Sequence, residues 1–193
     1  MSTDRPEPLA ARVAAALDRI ARARRVHRQA VATRHGLTSL QVELLTTIAD
    51  GPPPPPQVGL LAVEVGVAQP TATDSVRALE RKGLVERGGG RRSALELTAA
   101  GRLLVDDLVL ADQGLTRVIE ALPIAVQAAT LEVLLTLIAQ LAVTGAVTVS
   151  RTCLTCRFHA HDGASHHCTL LGADLPPADL RVNCPDHEPA RAA

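Results

Sequence analysis

The stretch that decides the fold is LAVEVGVAQPTATDSVRALERKGLVER, residues 61–87. A helix-turn-helix needs a small residue where its two helices touch, a glycine at the turn and an apolar residue just after it. Ala62, Gly66 and Val67 meet these needs at the required spacing. The polar residues from Thr71 onward then open a second helix, whose N-terminal end is expected to face the major groove of DNA. The stretch therefore predicts a DNA-binding helix-turn-helix.

The segments on either side of this stretch extend the prediction to a winged lobe. GLTSLQVELLTTIADG reads as a helix, with Thr38 as N-cap, Gln41 completing a capping box and Gly51 as the stop signal. Five consecutive prolines, 52–56, predict a stiff polyproline II spacer. After residue 87, GGGRR followed by the alternating ALEL predicts a glycine-rich hairpin tip between two short strands.

Longer helices are expected at both ends of this lobe. Apolar residues at helical spacing predict a first helix over about 8–33, and Thr98 is the expected N-cap of a helix after the hairpin. A last helix is expected over about 124–145, where Glu132 is the single charged residue between 123 and 149. Polar residues recur there every four positions, opposite a leucine-rich face: Glu132, Thr136, Gln140 and Thr144. This pattern predicts an amphipathic helix and not a membrane span.

The helix-turn-helix, the basic hairpin and the following ALELTAAG together resemble the MarR-type winged helix-turn-helix regulators. The resemblance covers roughly residues 8–146 and is strong for about 37–101. It implies a homodimer, with one winged lobe in each subunit and with the first and last helices entwined. The implied partner is pseudo-palindromic double-stranded DNA, with half-sites about one helical turn apart. A small-molecule effector is left undefined by the sequence.

Nine residues are expected to contact DNA. Those that can reach base edges from the start of the recognition helix are Gln69, Thr71 and Thr73. Arg77, one turn further, is placed to reach a guanine or a phosphate. The residues expected to hold phosphates, which position the protein without specifying sequence, are Arg81, Lys82 and Arg87. Arg91 and Arg92 lie at the wing tip, where the resemblance places an arginine in the minor groove.

The net charge of the whole chain does not favour DNA binding, but the local charge around the helix-turn-helix and the wing does. The chain carries 20 basic and 20 acidic residues, so any attraction to DNA must come from a patch. Residues 69–92 contain six basic and three acidic side chains, a surplus of three positive charges. Two positions depart from the family's usual pattern: Gly89 stands where an acidic residue is usual before the wing arginine, and Asp74 stands where arginine is frequent. A different base preference and a looser wing are therefore expected.

The C-terminal segment has a different composition. All four cysteines and five of the seven histidines lie between 153 and 187, and the cysteines follow the order Cys153-x2-Cys156-x11-Cys168-x15-Cys184. So short and loop-rich a segment is not expected to fold without a bound metal. One close pair with two separate cysteines resembles, in spacing alone, the ligands of high-potential iron–sulfur proteins and of cluster-containing uracil-DNA glycosylases. An iron–sulfur cluster is favoured over zinc, which usually arrives with two CxxC pairs.

Other residues of the segment are given supporting roles. A zinc site with mixed cysteine and histidine ligands stays open, since the segment holds the spare histidines His159, His161, His166, His167 and His187. His166 and His167 are expected instead to be hydrogen-bond partners of the site, and Phe158 is expected to shield it from solvent. The centre is either a sensor that acts on the adjacent helix or a structural staple. A cytosolic chain with reduced cysteines is expected.

The sequence thus predicts a mainly α chain with four parts. These are an N-terminal dimerisation helix (1–36), a winged helix-turn-helix with a small β hairpin wing (37–98), C-terminal dimerisation helices (99–147) and a cysteine-rich metal-binding module (148–193). The alternative is a redox or electron-transfer protein that uses the winged helix only for assembly. No nucleophile–base pair or nucleotide-binding motif indicates an enzyme, because the glycines of 88–90 lack the following Lys-Ser/Thr of a phosphate-binding loop.

Overall fold

The computed structural model describes residues 7–51, 55–88, 94–163 and 165–190. This part of the chain is mainly helical, as the sequence predicts. Its α-helices are α1 (Leu9–Arg34), α2 (Ser39–Asp50), α3 (Val58–Glu64), α4 (Gln69–Arg81), α5 (Ala99–Glu120) and α6 (Ile124–Val143). The first and last helices therefore lie within two residues of their expected bounds.

Side-chain caps fix where two of the helices begin. The Thr38 hydroxyl accepts a hydrogen bond from the Gln41 N–H, and the Gln41 side chain accepts one from the Thr38 N–H, each at 3.2 Å. This reciprocal pair satisfies two backbone donors that the first turn of α2 would otherwise leave open. At α5, the Thr98 hydroxyl accepts from the Gly101 N–H at 3.0 Å. Both predicted caps are confirmed, and Gly51 ends α2 as expected.

The wing follows α4 directly. Strand β1 (Val85–Arg87) pairs antiparallel with β2 (Leu95–Leu97), with Val85 opposite Leu97. Both of these side chains are buried, and the paired Glu86 and Glu96 between the strands' ends are exposed. The glycine-rich tip with Gly89, Arg91 and Arg92 lies outside the described residues, as do prolines 52–54 of the predicted spacer.

A leucine-rich core joins the elements of the winged lobe. Leu44 and Leu45 of α2, Leu79 of α4, Leu95 of β2 and Leu108 of α5 are all almost wholly buried against one another. The same core reaches α1 through Val31 and Ala32 and reaches α3 through Leu61. Burial of these side chains fixes α4 on the lobe, with its polar face turned outward.

The C-terminal module contains more regular structure than the predicted loops. Strands β3 (His159–His161), β4 (His166–Cys168) and β5 (Ala173–Leu175) form an antiparallel sheet in that order. Two short 3-10 turns, Cys153–Thr155 and Pro177–Asp179, pack against α6. Three-residue strands leave too short a pattern for sequence periodicity to detect.

Helix α6 differs from the prediction in how its polar stripe is used. A four-residue repeat advances about 40° beyond one helical turn at each step, so the stripe winds around the helix. Glu132 at one end therefore lies against the module, while Thr144 at the other end is exposed. Leu131, Leu135 and Ile138 pack against the module. The polar stripe is thus partly buried at Glu132, and Leu141 of the apolar face is exposed within one chain.

A second apolar strip on α6 stays uncovered. It runs along one side of the helix and comprises Val126, Val133, Leu137 and Leu141. Among the described residues, α6 is the one helix long and apolar enough to cross a membrane by length and composition. Its contact with the module through Glu132 is the feature that sets it apart from a lipid-facing span.

Candidate DNA interface and candidate metal centre

The helix-turn-helix is formed by α3, a short turn and α4. Gly66 sits in the turn with φ +69°, a conformation that glycine adopts without a steric cost. The Val67 N–H donates to the Ala62 carbonyl at 3.0 Å, which closes the turn. Ala62 is buried, as expected of the small residue at the helix contact. Residues 62, 66 and 67 therefore occupy the places that the sequence assigns to them.

Helix α4 presents a buried face and a polar face. Ala72, Val76 and Leu79 pack into the lobe. Gln69 and Thr71 are exposed at the N-terminal end, and Thr73 is half-buried, with its hydroxyl donating to the Gln69 carbonyl at 2.8 Å. The residues expected to reach base edges thus lie together at the exposed start of the helix.

Arg77 lies on the same exposed face and is engaged locally. Its Nη1 atom is 3.6 Å from Asp74 Oδ1, and both side chains are largely exposed. An exposed ion pair of this kind is worth little, so it can be exchanged for a phosphate or a guanine. Asp74 therefore masks the arginine only weakly in the absence of DNA.

The residues expected to hold phosphates are placed differently from one another. Arg81 is exposed at the end of α4. The Lys82 ammonium donates to the Gly36 carbonyl, which ties the end of α4 to the turn after α1. Arg87 Nε donates to Glu80 Oε1 at 2.6 Å across the lobe surface. Lys82 and Arg87 thus have structural partners within the chain, and Arg81 and Arg77 are the more available cations.

The four cysteines surround one small cavity in the module. Apolar side chains complete its wall: Phe158, Leu170, Leu171 and Leu175. All four cysteines are free thiols, Cys153 is buried and the other three are half-buried. Phe158 thus lies beside the cysteines as the sequence predicts, and the Arg157 guanidinium stacks on its ring at 4.5 Å. The topology therefore brings together four residues that are up to 31 positions apart along the chain.

The thiols lie close enough to influence one another electrostatically. Burial raises the pKa of the Cys153 thiol, and the charges of Cys156, Cys168 and Cys184 act in the same direction. The backbone N–H of Arg181 donates to Cys153 Sγ at 3.2 Å and opposes the rise. Arg181 Nη1 also lies 4.0 Å from Cys184 Sγ. The raised pKa favours the neutral thiol form of Cys153.

A second cluster of possible ligands lies between the module and α6. His166 is buried, with Nε2 3.1 Å from Glu132 Oε1 and Nδ1 2.9 Å from His159 Nε2. The His161 ring stacks on the His166 ring with centroids 4.4 Å apart. Burial lowers the pKa of His159, and the neighbouring charges of His166 and His161 lower it further. Sequence reasoning did not predict this cluster, because it depends on the packing of the module on α6.

The adjacent histidines His166 and His167 have different hydrogen-bond partners. His166 contacts Glu132 and His159, whereas His167 points to the opposite side of the sheet, where its Nδ1 lies 3.0 Å from Asp174 Oδ1. His187 lies 3.1 Å from the Thr155 hydroxyl, within the module.

Comparisons with known proteins find a family that matches most of the winged lobe. Residues 35–93 match the MarR family. The fold is similar to the transcriptional regulator PA3341, with 28% identity, a TM-score of 0.55 and coverage of 67% of this chain and 97% of that one. A MarR family regulator from Silicibacter pomeroyi gives 24% identity, a TM-score of 0.55 and coverage of 64% and 86%. CouR from Rhodococcus jostii RHA1, solved with p-coumaroyl-CoA, gives 20% identity, a TM-score of 0.55 and coverage of 68% and 95%.

No curated protein matches the chain. About a third of the chain lies outside each of the structural matches, which nearly span the other proteins. The lobe therefore has a MarR winged-helix fold, to which this chain adds further structure.

Proposed function

We propose that the chain is a homodimeric, cytoplasmic transcription regulator of the MarR type that binds pseudo-palindromic double-stranded DNA and carries a four-cysteine metal or iron–sulfur centre. One observation carries the proposal. The polar start of α4 is exposed on a helix-turn-helix that lies wholly within the residues matching the MarR family. The chain acts by binding and not as an enzyme.

The geometry of α4 supports separate roles for its residues in contacting the bases and the phosphates of DNA. Gln69, Thr71 and Thr73 read base edges, since they lie at the exposed start of the helix. Arg77 contributes a guanine or phosphate contact once it leaves Asp74, and Arg81 contributes a phosphate contact. Lys82 and Arg87 contact the DNA phosphates. Of the two wing-tip arginines, Arg91 and Arg92, one enters the minor groove, and Arg91 aligns best with the family's position.

Uncovered apolar surface supports the homodimer. Large apolar side chains are exposed along one strip of α1: Leu9, Val13, Leu17 and Ile20. Further ones are exposed on the second half of α5 and on α6, including Val118, Ile119, Val133 and Leu137. A surface of this extent on the helices outside the winged lobe is typical of an interface between protein chains.

The arrangement of the cysteines supports a cluster over a single zinc ion. Zinc sites with four thiolates typically have two CxxC pairs, whereas this chain has one such pair and two separate cysteines. The four cysteines line one cavity with apolar walls, which suits a cluster held by four thiolates. When bound, the cluster supplies an electron-transfer centre sensitive to oxidation.

DNA binding is tested by fluorescence anisotropy on a duplex enriched from a random pool. Arg77→Ala is compared with Arg117→Ala, an exposed arginine of α5 beyond the winged lobe. Loss of a base or phosphate contact weakens binding by about ten-fold or more and lowers the salt slope by about one per phosphate contact. Equal affinities for the two variants would refute the assignment of α4 as the reading helix.

The centre is tested by measuring iron, zinc and acid-labile sulfide per chain in protein purified without oxygen. Iron with sulfide at cluster stoichiometry supports the cluster, and DNA affinity is then compared with the cluster present and lost. One zinc ion per chain without sulfide would show that the centre is a structural zinc site and not an iron–sulfur cluster. Absence of all three would refute the metal centre.

A further inference from the structure

We propose a second metal site, for a divalent transition-metal ion such as Zn²⁺, formed by Glu132, His161 and His166. It is separate from the cysteine centre and rests neither on that centre nor on DNA binding. One ligand atom from each of these residues lies within 4.8 Å of the other two. Imidazole nitrogen with one carboxylate oxygen is a donor set that suits Zn²⁺ and its neighbours in the first transition row.

The sheet of the module holds the two histidines in place. His161 and His166 are directly opposite each other in the β3–β4 pair, so their rings project from the same face. His159 and Cys168 form the next pair on that face, because successive side chains alternate. The two proposed metal sites thus occupy neighbouring positions on one side of a three-stranded sheet.

The third ligand comes from the helix that faces the sheet. Glu132 is the only charged residue between 123 and 149, and its carboxylate reaches His166 Nε2 at 3.1 Å. A charged residue in an otherwise apolar helix is expensive to place against packed surface without a partner. Metal coordination gives this carboxylate a stronger partner than a single imidazole.

His159 is a hydrogen-bond partner of the ligand His166 and is not itself a ligand. Its Nε2 lies 2.9 Å from His166 Nδ1. When His166 Nδ1–H donates to His159, the Nε2 atom of His166 is left free to bind a metal on the side of Glu132. This partner fixes both the tautomer and the ring orientation of the buried ligand.

The site is open on one side. His166 is 5% exposed, but His161 is exposed and Glu132 is half-buried. An ion therefore has an entry path and a position for a bound water, which favours reversible binding over permanent retention. Occupation would join α6 to the module by coordinate bonds.

The test is a titration of the full-length protein, with its cysteine centre as isolated, using Co²⁺ as a spectroscopic probe. We expect one Co²⁺ per chain to bind with the absorption of nitrogen and oxygen ligands, without a sulfur-to-cobalt charge-transfer band, and to be displaced by Zn²⁺. Glu132→Gln and His161→Ala each weaken binding by about ten-fold or more. His167→Ala is the matched control, since this histidine lies on the opposite face of the same strand.

Circular dichroism and the iron, zinc and sulfide content establish that each variant is folded and keeps its cysteine centre. Binding that is equally tight in all four proteins would overturn the proposal. The proposal would also be overturned if Co²⁺ did not bind, or bound only through sulfur ligands. Glu132, His161 and His166 would then form only a hydrogen-bonded contact between the module and α6.

Discussion

Gly101, in the first turn of α5, lies so close to the wing that no side chain fits. A Cβ atom at this position would overlap the backbone carbonyl oxygen of Leu84, which also accepts a hydrogen bond from the Thr98 N–H at 3.1 Å. Because the obstacle is backbone and not a flexible side chain, α5 and the wing would have to move apart. This single glycine therefore sets how closely the wing follows α5.

We predict that Gly101→Ala destabilises the protein by about 1–3 kcal/mol, the usual cost of overpacking. Gly114→Ala on the same helix is the control, since a Cβ there meets no atom within 4 Å. It should stabilise the protein by about 0.5–1 kcal/mol through helix propensity. Urea unfolding of both variants checks this. Equal effects at the two positions would contradict the close approach.

Among the elements, α1 is attached to α5 through one acidic residue. Asp112 Oδ2 accepts from Arg24 Nη2 at 2.9 Å and from Arg28 Nε at 2.8 Å. Burial acts to raise the pKa of Asp112, but the hydrogen bonds and charges of the two arginines outweigh it and lower the pKa below its ordinary value. A lowered pKa in the folded state means that this contribution to stability is present above the unfolded pKa and lost as the pH falls through the folded one.

Asp112→Ala should therefore lower the free energy of unfolding by about 1 kcal/mol at pH 7. The difference from the wild-type protein should begin to shrink below about pH 4, the ordinary pKa of an aspartate in the unfolded chain, and should vanish below the lowered pKa of the folded state. Asp106→Ala, an exposed change six residues earlier on α5, should have little effect at either pH. Unfolding curves at a series of pH values measure this. A difference that stays constant down to strongly acidic pH would exclude the ion-pair explanation.

The elements also show what the sequence could predict. Thr38, Gln41 and Thr98 act through contacts within four residues, so the starts of α2 and α5 follow from local pattern alone. The turn at Gly66 does so too. The contact of Glu132 with His166 joins residues 34 positions apart, and only the packing of the module on α6 creates it. The cysteine set was predictable from spacing, whereas the histidine cluster depends on that packing.

For the whole molecule, the proposed dimer rests on the apolar strips of α1, α5 and α6 that are exposed within one chain. We predict that Ile20→Glu on α1 dissociates the dimer, because it buries a charge in the interface. Ile20 is 46% exposed within one chain, and Leu60 on α3 is 59% exposed. Leu60→Glu, outside these helices, should leave the dimer intact. Sedimentation velocity measures both, and dimers that persist in Ile20→Glu would move the interface elsewhere.

Selection of double-stranded DNA from a random pool by the full-length protein tests the central claim most directly. A dimer with two exposed reading helices should enrich a pseudo-palindrome whose half-sites lie about one helical turn apart, with two chains bound per duplex. Its affinity should fall steeply with salt, as several phosphate contacts require. A pool that stays random after repeated selection, with all duplexes bound equally weakly, would contradict the account.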